Sequence, residues 1–209
     1  NVRQLISKEI NKPKCGTTIC IPVVNVFGFL NMAREFPDGR DLNRMFPGTK
    51  NGSLASRFAF QFVQEILPIA DFCLDFHTGG ASRFNVAQIR VKKGDKHSIE
   101  LANIFKAPFT IVSTTITKSY RETCSKMGNP ILLFEGGKSQ DSNKEIAKQG
   151  VEGTMRILDH LNMLKSKFEL PDAHAEPILI ENNVFIGSHS VIKGGATIGH
   201  HSVIAAGTI

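Results

Sequence analysis

Apolar residues in this chain come in two kinds of run. Short continuous runs rich in β-branched and aromatic residues predict buried strands, and apolar residues three and four apart predict amphipathic helices. Residues 17–24 are of the first kind and predict a buried strand. Residues 25–48 follow neither period and predict a long loop, which in a compact domain tends to be functional. Residues 53–67 place Leu54, Phe58, Phe62, Val63, Ile66 and Leu67 on one helical face, and Pro68 stops the helix. Residues 70–76 predict the next strand, with His77 just past its end, where α/β sheets bind ligands. Strands are then predicted at 86–91, 109–113 and 131–134, the last delivering Glu135 at its end. Helices are predicted at 97–105, at 120–127 closed by Gly128, and from the capping box Ser142-x-x-Glu145 to about Leu164. Alternating strands and helices of this kind predict an α/β core.

The pattern changes after Leu170. Residues 171–177 read as a linker between a core at 1–170 and a tail at 178–209. In the tail Ile180, Ile186, Ile192, Ile198 and Ile204 recur at every sixth position. Val184, Ser190, Ala196, Ser202 and Thr208 hold a second fixed place in the same period, with glycines 187, 194, 195, 199 and 207 at the expected corners. A sixfold repeat calls for one short strand and one tight corner per unit, the isoleucines stacking inside.

Composition adds little to this picture. At 209 residues, 41% hydrophobic and 21% charged, the chain reads as an ordinary globular protein. Its net charge of +6 is scattered, and Lys92-Lys93 and Lys165-Ser-Lys167 lack interleaved aromatics, so no nucleic-acid partner is expected. No stretch reads as a signal peptide or membrane span, which predicts a cytoplasmic protein without a membrane partner. The cysteines at 15, 20, 73 and 124 form no Cys-x-x-Cys pair, and Cys20 and Cys73 are expected to be buried, reduced thiols.

Candidate chemistry lies in three runs. Asp38-Gly-Arg-Asp-Leu-Asn-Arg-Met-Phe-Pro-Gly48 gathers carboxylates, guanidiniums and an amide in one loop. Such a loop either clamps an anionic substrate through a planar arginine fork or closes on its own ion pairs. Asp75-Phe-His-Thr-Gly-Gly80 offers an imidazole beside a carboxylate, and Phe134-Glu-Gly-Gly137 offers a carboxylate beside glycines that permit close backbone approach. Together and in this order the runs resemble the succinylglutamate desuccinylase/aspartoacylase family of zinc-dependent amidohydrolases, over about residues 1–170.

The resemblance implies a three-layer, zinc-carboxypeptidase-like α/β core. It implies hydrolysis of an N-acyl amino acid or related amide, with Glu135 as general base. Asn43, Arg44, Arg34 and Arg121 match substrate-binding positions, and His77 matches one ligand of a catalytic zinc, which takes three protein ligands. The family's other two ligands form a His-x-x-Glu motif. His77 is the first histidine here, so that pair is expected upstream of Asn1, and the fragment as it stands is expected to be inactive. The tail is similar to the hexapeptide repeats of left-handed β-helix acyltransferases. Two alternatives therefore stand beside the hydrolase: a remnant of an acyl-CoA-dependent acyltransferase, and a non-catalytic fusion, natural or engineered, whose C-terminal repeats join like chains into a homo-oligomer.

Overall fold

The computed structural model describes residues 1–80, 83–172 and 176–209; residues 173–175 of the expected linker lie outside the described residues. The chain divides into two units. One comprises Ile21–Leu74 and Thr115–Ile131, the other Asn1–Cys20, Asp75–Thr114 and Leu132–Ile209. In chain order the helices are α1 (Val2–Ser7), α2 (Val26–Asn31), α3 (Leu54–Ile66), α4 (Lys96–Phe105), α5 (Tyr120–Met127) and α6 (Lys144–His160). The strands are β1 (Cys73–Gly79), β2 (Asn85–Lys92), β3 (Phe109–Ser113), β4 (Ile131–Lys138), β5 (Ile178–Ile180), β6 (Phe185–Ile186), β7 (Thr197–Ile198) and β8 (Val203–Ile204). Single 3-10 turns occupy Leu42–Arg44 and Leu67–Ile69.

The larger unit is built on a six-stranded mixed sheet in the order β1-β4-β2-β3-β5-β7. β2 runs parallel to β3 and antiparallel to β4. Ile131, Leu132, Leu133 and Phe134 are buried at consecutive positions of β4, as a strand covered on both faces requires. Phe134 packs against Phe76 and Phe105 at ring-centre separations of 5.8 and 5.5 Å. α6 comes close to α4 at Gly153, where a Cβ would strike the Phe105 ring. On another face of α6, Val151, Met155 and Leu158 pack with Leu5, Ile10 and Leu164.

The smaller unit has its own core. Ala55, Ala59, Val63 and Leu67 turn inward from α3 and its extension, and meet Phe36, Leu42, Phe46, Cys124 and Ile131. Phe58, Phe62 and Tyr120 complete an aromatic cluster, with Tyr120 5.2 Å from Phe46 and 5.5 Å from Phe62.

The tail is paired to the core. β5 lies parallel to β3, with Phe109, Thr110 and Ile111 opposite Ile178, Leu179 and Ile180. β7 then lies parallel to β5, Ile180 opposite Ile198, and β8 parallel to β6, Ile186 opposite Ile204. Each of these two pairings joins residues three hexads apart. The corners fall on Asn183, His189, Gly195, His201 and Gly207, all with positive φ. These are residues that enter the left-handed region at low cost. The expected corner glycines at 187, 194 and 199 are not among them.

Several elements differ from expectation. Residues 17–24 are irregular and partly exposed, because Pro22 lacks the N–H a ladder needs and Ile19 faces outward. The predicted loop 25–48 contains α2, whose first turn is capped by Asn25 accepting from the Gly28 N–H. β1 and β4 continue past their expected ends, so His77 and Glu135 lie within strands. α6 is capped by Asn143 rather than Ser142 and ends at His160. None of the four cysteines is in a disulfide, but Cys20 and Cys73 are half-buried and Cys124 is the one fully buried. Among the described residues no helix is long and apolar enough to cross a membrane.

Candidate active site

In the larger unit, His77 and Asp75 sit two residues apart on β1 and therefore on one face. His77 Nε2 is 2.9 Å from Asp75 Oδ2. A carboxylate on an imidazole fixes the ring and its tautomer, as it does for ring nitrogens prepared for a metal or a proton. On β4, Glu135 stands directly opposite Gln88 of β2 and diagonal to Arg90. Arg90 Nε is 2.8 Å from Glu135 Oε2, the separation of an ion pair, although the N–H is not aligned for a hydrogen bond. Gly136 follows, and a Cβ there would press on Ile146 at 2.7 Å and on Ala87 at 3.2 Å. The glycine beside Glu135 thus serves close packing.

The smaller unit carries the arginine loop. A hairpin-like bridge between Glu35 and Asp41 brings Arg34 beside Asp41. Arg34 donates from Nε to Asp41 Oδ2 at 2.9 Å, and its Nη2 is also 2.9 Å from that oxygen. The other oxygen of Asp41 accepts from the Asn43 N–H at 2.9 Å and starts the turn Leu42–Arg44. Asn43 Oδ1 accepts from the Tyr120 N–H at 2.9 Å, which ties its side-chain oxygen to α5. Arg44 Nη1 donates to the Asn43 carbonyl at 2.7 Å, and among the described residues Arg44 has no acidic partner. Asp38 accepts from the Ala55 N–H at 2.9 Å, which holds its carboxyl below the usual aspartate range. Arg121, on α5, is buried in this unit.

The anticipated residues thus fall into two groups: His77 with Glu135 in the larger unit, and Arg34, Asn43, Arg44 and Arg121 in the smaller. Arg90 was not anticipated. Its relation to Glu135 depends on the antiparallel register of β2 and β4, which no local pattern encodes.

Residues 1–161 match the succinylglutamate desuccinylase/aspartoacylase catalytic domain. The chain belongs to this family. Residues 177–209 match the bacterial transferase hexapeptide (six repeats). The desuccinylase/aspartoacylase chain is 26% identical over 168 residues to the N-alpha-acetyl-L-2,4-diaminobutyric acid deacetylase of Halomonas elongata, covering 75% of this chain and 48% of that protein. Its mixed α/β fold is similar to that of the product-bound ectoine utilization protein EutE (DoeB) of Ruegeria pomeroyi, with 25% identity, a TM-score of 0.72, and coverage of 86% of this chain and 56% of that one. It is also similar to a succinylglutamate desuccinylase/aspartoacylase of Rhodobacter sphaeroides, with 27% identity, a TM-score of 0.65, and coverage of 71% and 46%. The chain spans about half the length of these relatives.

Zinc can be tested against the residues present. A catalytic zinc takes three protein ligands. Among the described residues no group of three His, Cys, Asp or Glu side chains is placed to hold a metal. His77 with Asp75 supplies one imidazole and a carboxylate already bonded to it. The described residues do not complete such a site.

Proposed function

We propose that this chain is the substrate-handling part of a deacylase that hydrolyses an N-acyl amino acid or related amide. The match over residues 1–161, with the three polar runs in order, carries the assignment. The named activity of the Halomonas relative supports an acetylated amino acid as the substrate class.

In this proposal Glu135 takes a proton from the water that attacks the acyl carbon and returns it to the leaving amine. The C–N bond breaks, a C–O bond forms, and the products are a carboxylic acid and a free amine. Arg44 holds the substrate carboxylate with its planar fork, and Arg121 and Asn43 complete the anion-binding set. His77 is the candidate ligand for the zinc of the family. One imidazole cannot hold that ion alone, and the 209-residue chain by itself is expected to show no metal-dependent turnover. We also read the tail as a short left-handed β-helix segment. Parallel pairing three hexads apart and positive φ at every sixth residue support this reading.

Calorimetry tests the substrate class without requiring turnover. Nα-acetyl-L-2,4-diaminobutyrate should bind the intact chain, and its carboxamide should bind more weakly. Arg44→Lys keeps the charge but loses the fork, and should weaken binding of the carboxylate form roughly tenfold while leaving the amide unaffected. Equal binding of both forms by the unmodified protein would remove the carboxylate-reading role.

A further inference from the structure

The family motif places Arg34 with the substrate-binding arginines, yet the contacts within its own unit assign it differently. Its Nε and Nη2 both approach one oxygen of Asp41, each at 2.9 Å. The other Asp41 oxygen holds the Asn43 N–H. The main chain around Arg34 is pinned too. The Asn25 side-chain amide donates to the Arg34 carbonyl at 3.1 Å, and the Phe36 N–H donates to the Arg40 carbonyl at 2.8 Å across the same hairpin. Asn25 accepts from the Gly28 N–H as well, so one side chain caps α2 and anchors the segment that presents Arg34.

We infer that Arg34 is a positioning residue. Through Asp41 it fixes the turn Leu42–Arg44 and leaves Arg44 as the cation that reads the substrate carboxylate. An exposed ion pair usually contributes little, because water screens it and long side chains resist ordering. The Arg34–Asp41 pair differs from that norm in geometry. Two donors converge on one oxygen, while the carboxylate is already immobilised by a backbone N–H at the other. Arg34 therefore neutralises Asp41, which would otherwise place a negative charge one turn from the group meant to attract an anion. Arg40 lies beside Asp38 at the looser separation of 3.7 Å. Arg44 is then the loop arginine without an acidic partner among the described residues, which suits a single carboxylate better than a dicarboxylate.

This inference rests on the deacylase proposal only for the choice of ligand, so its test has two readouts. The first is amide hydrogen exchange at Asn43, measured by NMR on the intact chain without ligand. Arg34→Met keeps the stem and removes the fork; Asp41→Asn keeps a capping oxygen and removes the charge. Each should speed Asn43 exchange roughly tenfold, and the double variant should add nothing further, as expected for two residues acting as one unit. The second readout is binding of Nα-acetyl-L-2,4-diaminobutyrate. Each single variant should weaken it by a similar factor, again without addition in the double variant. Unchanged Asn43 exchange in Arg34→Met would overturn the inference. So would an undiminished effect of Arg34→Met on binding in the Asp41→Asn background, which would mean a direct contact with substrate. If the unmodified protein fails to bind the ligand, the deacylase proposal falls and the exchange measurement alone decides the role of Arg34.

Discussion

The arginine loop and the hexapeptide tail solve the same problem, holding irregular-looking chain in one conformation, by opposite means. Residues 25–48 have no period. Their conformation is set by individual side chains: Asn25 on Gly28 and Arg34, Asp41 on Arg34 and Asn43, Asp38 on Ala55. Residues 178–209 are held by a repeating backbone ladder, with Ile198 buried, Ile180, Ile192 and Ile204 half-buried, and Ile186, against the expected inward stack, exposed. In the loop each polar residue has a separate task. In the tail the six-residue period is the determinant, and the side chain matters mainly at the inward isoleucines and at the left-handed corners.

The comparison is broken most readily in the tail's interior. Ile198 is 6% exposed and pairs with Ile180 across the β5–β7 ladder. Ile198→Ala should cost about 2–3 kcal/mol, the scale for truncating a buried aliphatic side chain that leaves a cavity. Because β5 is also paired to β3, the loss should appear in the unfolding transition of the core. Urea denaturation followed by circular dichroism checks both points. A separate, earlier tail transition with an unchanged main transition would show that the two do not unfold together.

A smaller effect is expected at the corners. His201 has φ of 61°. A β-branched residue there is strained, so His201→Val should cost about 1–2 kcal/mol. His201→Gly should fall within about 0.5 kcal/mol of the parent, since relief of strain is offset by a more flexible unfolded chain. Thermal unfolding of the two variants side by side measures the difference. Equal stability of valine and glycine would mean that the corner conformation is not what the period selects.

How much of this was legible in the sequence follows the same division. The hexad was readable because a period announces itself without knowledge of partners. The corner residues were less so. Glycine is the residue expected at such corners, whereas Asn183, His189 and His201 take the same backbone conformation with side chains attached. Helices whose caps are local were readable as well: Ser53, Asp95 and Ser119 each accept a backbone N–H three residues on, and Gly128 closes α5 with φ of 83°. Asn25 is the same signal, masked by a segment rich in glycine and proline. Strand ends were misplaced because glycines 79, 136 and 137 look like turn residues, yet they lie inside ladders. Of the candidate site, residue types were legible and partners were not. The Arg34–Asp41 pair needs the hairpin at 35–41, and the Arg90–Glu135 pair needs a strand register. Both are set by contacts distant from the motif itself.

The smallest expected effect sharpens the loop's side of the comparison. Asp38 accepts from the Ala55 N–H, close to the start of α3. That bond, helped by the Ser53 side chain and by Arg40, lowers the carboxyl pKa in the folded protein. A group whose folded pKa lies below its unfolded value stabilises the fold above the unfolded value, and the contribution disappears as pH falls through the folded one. The amide side chain introduced by Asp38→Asn could still accept from Ala55 but would carry no charge toward the positive end of the helix. The parent should therefore be modestly more stable than Asp38→Asn near neutral pH. The gap should close as pH falls from the ordinary aspartate range through the lowered folded value. Denaturant midpoints of both proteins across that range provide the measurement. A gap that stayed constant with pH would show that Asp38 acts by shape alone, and that the loop, like the tail, is held without help from ionised side chains at this point.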